Sequence, residues 1–500
     1  MKKSYLIIAT VFIVMSFYSC KKDFETEQEF EGKYESANSV TEAVNALYRT
    51  GAPTFYGECS FADVPIAAIG GYLSGFFDNE AGSESALYNS CRLLLFDGGM
   101  NDYSKNVWNQ AYRAIEMCNE IIDNLLSNTR LSTEQKNRIE AETRFFRAFN
   151  YFYLAKLFGG VPLVTQNSFI GSNEISELSQ VYQAITYDLN RAIPNLPDKA
   201  FAKNDFRISR SSAQMLLADV YLTMSGYPLL QDNYKRAAET AKEVISGGKH
   251  ILTPNGATSG TSAYNVLRTQ NNNNELIYSY KTQATDRLLS SLSLSKNAVE
   301  WGVLKLKTQN AYQPTQALID IYNPDDIRSH EQQFFHSFVR YEKGEKTIIQ
   351  TFSRTPYFWF DREALFGGGM SQKDVVIYRY AEILLIAAEA IAMTEGVTPE
   401  AIGYLTDVRA RAYSNVDRST IYNQLASFDK SKFVEEIWTE RLREFPLEMK
   451  IWTDIQRTRK YPVTFSDNKG TVIFRDIVGA VNPSNITFGE QHLLLPIPRN

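Results

Sequence analysis

The sequence predicts a mainly α-helical protein, a tetratricopeptide-like scaffold of helical hairpins carrying a large, loop-rich, irregular face. Three observations carry this. Apolar residues recur at i, i+3, i+4 and i+7 through two blocks, from about Ser39 to Gly247 and again over 374–460. Between them, over 251–373, the period fails and Asn, Ser, Gly and isolated rings take over, as in long loops with short strands or helices. Two stretches also match helical-repeat spacing. Leu217, Ala218 and Tyr221 are followed by Tyr234, Ala237 and Ala241, and Ile386, Ala387 and Ala390 by Ala401, Leu405 and Val408. The small Ala positions let paired helices approach closely.

Taken in order, the chain opens with Lys2 and Lys3 and an apolar run from Tyr5 to Tyr18. That run is too short for a membrane span and suits a secretion signal. It ends "SFYSC", so residues 1–19 read as a lipoprotein signal peptide and Cys20 as the lipidated residue. Residues 20–38, polar and acidic, read as a tether between lipid and body. Acyl chains at about 0.8 kcal/mol per buried CH₂ would anchor the protein durably.

The first helical region, 39–250, contains "VWNQAYRAIEMCNEIIDNLL" and then "RFFRAFNYFYLAKLFGGVPLV", Arg144 to Val164, with seven rings in its first fifteen residues. Glu140, Arg144 and Arg147 share a face, and one turn later that face carries Tyr151, Leu154 and Phe158. A helix that becomes apolar all round is one buried by its neighbours. The rings are therefore core, with Gly159-Gly160 as the stop and Pro162 fixing an extended exit. The second region, 251–500, comprises the loop-rich insert 251–373, closing helices over 374–460 and a short remainder.

Composition narrows function. A net charge of −5 argues against nucleic-acid binding, which needs a basic face. Cys59, Cys91 and Cys118 form no metal-binding spacing. A Cys59–Cys91 disulfide stays open, and Cys118 falls in a helical pattern as a buried thiol. His250, His330, His336 and His492 are scattered. Glu440, Glu444 and Glu448 share a helix face beside Arg441, a spacing for salt bridges across repeat helices rather than a glycosidase's acid and base.

The ring-rich segment also carries a family resemblance. Arg144, Arg147, Ala148, Tyr151, Leu154, Gly159 and Pro162 match the hallmark of SusD/RagB proteins, the outer-membrane nutrient-binding lipoproteins of Bacteroidetes. "AYQPTQALIDIYNPDDIRS", "IYRYAEILLIAAEA" and "ERLREFPLEMKIWTDIQRT" resemble three further landmarks in the family's order. Met449 stands where Gly is common and Lys450 where Arg is usual, and the family pattern usually runs a short way beyond "LLLPIPRN". The resemblance implies a SusD-like fold, no enzymatic activity and no cofactor beyond an occasional calcium, for which Asp325 and Asp326 are the acidic candidates. It implies a lipid-anchored protein on the outer membrane, facing the cell surface, with the acidic tether resembling an export signal. It also implies capture of an oligosaccharide or glycan and delivery to a SusC-like TonB-dependent transporter, which the protein caps as a mobile lid. The alternatives are a peptide-binding, RagB-like uptake component and, more remotely, a glycan-active enzyme.

If the helical rings are core, a sugar must meet rings presented by loops. Trp108, Trp438 and Trp452 fall within helices, whereas Trp301 and Trp359, the latter beside Tyr357, do not. Tyr72, Tyr88, Arg92, Asn101 and Tyr103 form a second candidate group, and Tyr264 and Tyr312 are further loop rings.

Overall fold

The computed structural model describes residues 37–57, 64–96, 98–164, 174–283, 288–368 and 373–498. Cys20, the tether up to 36 and Cys59 lie outside the described residues. Helices dominate. The longer ones are α1 (Ala37–Leu47), α2 (Gly98–Ser127), α3 (Thr133–Phe158), α4 (Leu178–Ala192), α5 (Arg210–Ser225) and α6 (Tyr234–Ser246). After the insert come α7 (Tyr380–Thr394), α8 (Pro399–Ala412), α9 (Arg418–Ala426), α10 (Lys430–Glu444) and α11 (Ile451–Thr458).

Local chemistry sets the ends of α3. Ser132 and Gln135 form a reciprocal cap at its start, and Gly159, at φ 78°, turns the chain out of it. From Ala141 onward almost every residue is buried, because α2 packs on one side and α4 on the other. Phe145 meets Phe146, Phe149 and Tyr278 at 5.4, 6.0 and 5.5 Å. Arg144 and Arg147 are tied down by Asp188 of α4, at 2.6 and 2.7 Å. The densest aromatic stretch in the chain is core.

The two repeat-like matches are helical hairpins, α5 with α6 and α7 with α8. Ala218, Ala237, Ala241, Ala387, Ala390 and Ala401 are all buried where those helices meet. α6 then packs on α7 although the whole insert separates them in sequence. This is possible because the insert leaves and returns at one place. Strand β2 (Leu276–Tyr280) pairs antiparallel with β6 (Val375–Arg379), which runs directly into α7. Within the insert, β3 (Tyr312–Pro314) pairs with β1 (Phe77–Asn79) from the first region. The sheet β4 (Phe335–Lys343) with β5 (Lys346–Pro356) is a projecting hairpin. A last hairpin, β7 (Lys460–Thr464) with β8 (Val472–Asp476), follows α11.

Charged residues from the recognisable motifs fasten the insert's roots to the helices. Arg379, at the end of β6, reaches Glu275, Glu444 and Glu448 at 2.9, 2.7 and 2.8 Å. Arg411 of α8 bridges Glu275 and Glu444 at 2.6 and 2.5 Å. Arg328 reaches Asp326, Glu440 and Glu444 at 2.6, 2.8 and 2.7 Å. These carboxylates therefore pair across elements. Arg441 itself reaches Glu382 and Asp454, at 3.2 and 2.8 Å, rather than its helix neighbour Glu444. The reason is that Glu444 already accepts from three guanidinium groups.

Both motif departures have local explanations. Met449 sits at φ 66°, a left-handed conformation that costs a side-chain-bearing residue about 1–2 kcal/mol and that Gly adopts freely. Lys450 keeps a cation in place, 3.0 Å from Glu382 and 4.1 Å over the Tyr378 ring.

Candidate functional site

The strand pair β1–β3 brings the two candidate groups together, but most of their rings point inward. Tyr88, Tyr72, Tyr312 and Trp359 follow one another at centroid separations of 5.0, 5.1 and 5.2 Å, and Phe77 stacks on Tyr312 at 4.1 Å. All are buried. Their polar ends are engaged: Tyr88 donates to Asp78 at 2.6 Å, Asn79 donates to Tyr72 at 2.9 Å, Tyr312 donates to the Ala68 carbonyl at 2.9 Å and Trp359 to that of Leu447 at 3.2 Å. Tyr103 donates to the Ile66 carbonyl at 2.6 Å, and Tyr264 to Glu444 at 3.1 Å inside the ion network. Burial pushes the Tyr72 neighbours Tyr88 and Tyr312, and Tyr264, above the usual phenol range.

The expectation of surface rings is thus corrected for Tyr72, Tyr88, Tyr103, Tyr264, Tyr312 and Trp359. They form the packed floor under the loops, because an irregular segment without helical period still has to bury its large side chains somewhere. Arg92 and Asn101 are half-buried, with Arg92 donating to Asn89 at 3.0 Å. Asp326 is also corrected as a calcium candidate: it caps the turn at Arg328 and is consumed by the Arg328 pair. Among the described residues no group of three or more His, Cys, Asp or Glu has metal-binding geometry. Cys91 and Cys118 are buried and form no disulfide among the described residues, and the Cys59–Cys91 pairing falls partly outside them.

Trp301 and Tyr357 behave differently. They belong to a small second apolar cluster built on the β4–β5 hairpin, apart from the main core. Val339, Tyr341, Leu294, Leu306 and Leu365 are its buried centre, and Trp301, Phe352, Tyr357 and Phe366 are its half-buried rim. Trp301 lies parallel to Tyr341 at 5.4 Å and 8°, and Phe366 continues the stack at 5.9 Å. Phe352 closes on Trp301 at 6.2 Å.

Backbone chemistry holds this arrangement. Gly302, at φ 72°, ends the turn that presents Trp301, and Lys343 from the hairpin tip donates to the Trp301 carbonyl at 2.9 Å. Glu80, just past β1, receives Lys296 and Ala311 backbone N–H groups at 2.8 and 3.0 Å and the Ser295 hydroxyl. The rim therefore rests on the buried ring floor through a fixed turn. Cations frame it, with Arg362 at 5.0 Å over Phe366 and Arg268 at 4.3 Å over Tyr357.

Such a surface suits stacking plus hydrogen bonding. The paired carboxylates of α10 are fully buried in the ion network. Tyr341, Phe352 and Phe366 escaped the sequence reading. Their signal is the alternation in "FVRYEKGEKTIIQTF" around Gly344, a hairpin pattern within a segment expected to hold long loops with short strands or helices.

Two family models match the chain. One, described as "Starch-binding associating with outer membrane", covers residues 72–222, and the SusD family covers 359–499. SusD-like protein P2 of Formosa agariphila is 26% identical over 394 residues, 74% of this chain and 75% of that protein. A SusD superfamily structure from Parabacteroides distasonis superposes with TM-score 0.78 at 25% identity, covering 92% of this chain and 96% of the other. The surface glycan-binding protein A of Bacteroides uniformis superposes with TM-score 0.69 at 19% identity, covering 92% and 96%.

Proposed function

Because this chain belongs to the SusD/RagB family, we propose that it is a non-catalytic glycan-binding component of nutrient uptake at the outer membrane. On this reading Cys20 carries the lipid anchor, the body faces the cell surface, and a SusC-like TonB-dependent transporter receives the captured oligosaccharide.

The observation that carries the reading is the aromatic rim on the hairpin. Trp301, Phe352 and Phe366 are half-buried rings, each supported from behind by the buried cluster. The C–H faces of a sugar stack on such rings. Lys343 and Arg362 stand beside them to meet hydroxyl groups. Several weak contacts on a rigid support favour a chain of sugars over a single one. The names of solved neighbours with the same fold, glycan-binding proteins among them, support the same substrate class.

Affinity electrophoresis of the protein lacking its lipid anchor, in gels containing soluble glycans, tests this. Retardation without any new reducing ends is the expected result, and Trp301→Ala abolishes most of it. Peptide binding with no glycan retardation would replace the substrate class, and product formation would replace the non-catalytic role.

A further inference from the structure

A second cavity lies on the helical side, between α8, α9 and α10, and shares no residue with the aromatic rim. It measures about 370 Å³, and Arg409, Tyr413, Lys432, Glu436, Thr439 and Arg443 are among its lining. Arg443 is only 6% exposed. Its Nε donates to the Ile321 carbonyl at 2.8 Å and its Nη2 to the Gly470 carbonyl at 2.6 Å. Among the described residues no carboxylate lies within ion-pair distance of it, and its Nη1 has no hydrogen-bond partner. Every other buried arginine of α8 and α10 is neutralised by at least one carboxylate. Glu436 and Glu440 are near enough to interact with Arg443, but neither pairs with it directly, so its free N–H edge can take a further acceptor.

Two more donors converge on the same space. Arg409 spends Nε on Glu440 at 2.8 Å and Nη2 on Glu436 at 3.0 Å, while its Nη1 has no partner among the described residues. The half-buried Tyr413 hydroxyl makes no hydrogen bond among the described residues. Lys432, 2.8 Å from Glu436, adds positive charge at the rim. Unused donors around a polar cavity need an acceptor ligand, and a planar carboxylate fits guanidinium donors. Glu436 and Asp325 line the same cavity and repel a dianion such as sulfate about twice as strongly as a monoanion. We propose that this cavity binds a small carboxylate-bearing molecule of up to monosaccharide size, with a sugar acid as the representative class.

Calorimetric titration of the full chain with D-glucuronate, D-glucose and sodium sulfate tests the site. Glucuronate binds at least about tenfold more tightly than glucose, a difference of one charge-assisted interaction, and sulfate does not displace it. Tyr413→Phe, which removes one hydroxyl and no packing volume, weakens glucuronate about five- to tenfold, and Arg443→Lys weakens it further. Trp301→Ala leaves glucuronate binding unchanged, which separates this site from glycan capture on the rim. Should Arg443→Lys fail to fold, Tyr413→Phe alone decides. Equal binding of glucuronate and glucose, displacement by sulfate, or an affinity indifferent to Tyr413→Phe would overturn the proposal.

Discussion

Trp301 and Trp359 looked alike in the sequence, each a tryptophan outside the helical pattern, yet their surroundings assign them opposite consequences. Trp359 is 3% exposed, stacked on Tyr312 and bonded to the Leu447 carbonyl. Trp359→Ala should therefore cost about 3–5 kcal/mol of stability, visible as a several-degree fall in the unfolding midpoint. Trp301 borders only the small hairpin cluster, so Trp301→Ala should leave the midpoint nearly unchanged while weakening glycan retention. Met449 allows a second test at this scale. Met449→Gly should be more stable than Met449→Ala by about 1 kcal/mol, because both lose the same contacts and only Gly escapes the left-handed strain at φ 66°. Comparing the two melting curves checks it.

At the level of elements, the decisive feature is the buried ion network joining β2, β6, α8 and α10. Burial opposes ionisation of Glu444, but Arg411, Arg379 and Arg328 more than offset it and hold the carboxyl down to about 2. A folded-state pKa below the ordinary 4.5 means the stabilisation is complete above about pH 4.5 and is lost as the pH falls toward 2. The linked free energy is about 3 kcal/mol. Glu448, pushed up by burial despite Arg379, acts in the opposite sense. Glu444→Gln should thus lower stability at pH 7 by several kcal/mol, as breaking a buried charge cluster does, and should flatten the acid limb of a stability–pH curve. The residues of this network were legible in the sequence as motifs. Their partners were not, because Glu275, Arg379 and Glu444 are brought together by folding and no local spacing encodes that meeting.

Over the whole molecule, the helical scaffold is continuous across the insert. α6 packs on α7, and one apolar core holds residues from both regions. The hairpin tip between Lys343 and Lys346 is exposed, so mild trypsin treatment should cut there first. The two fragments should then elute together on gel filtration and separate only in denaturant. Two native peaks would show that the insert's ends are not bound to the scaffold as strongly as the paired strands and ion network imply.

Helical period, the Gly159 stop and the small Ala positions were determined by the sequence alone, because they depend on contacts within a few residues along the chain. So was the core nature of the ring-rich α3 segment, since no helix can keep rings on all sides and stay exposed. Which loop rings remain at the surface was decided only by the tertiary structure. Tyr72, Tyr312 and Trp359 were turned inward by the β1–β3 pairing, and Trp301 was held at the rim by Gly302 and Lys343. Burial of a loop side chain depends on what the rest of the chain places over it, and that information is not local.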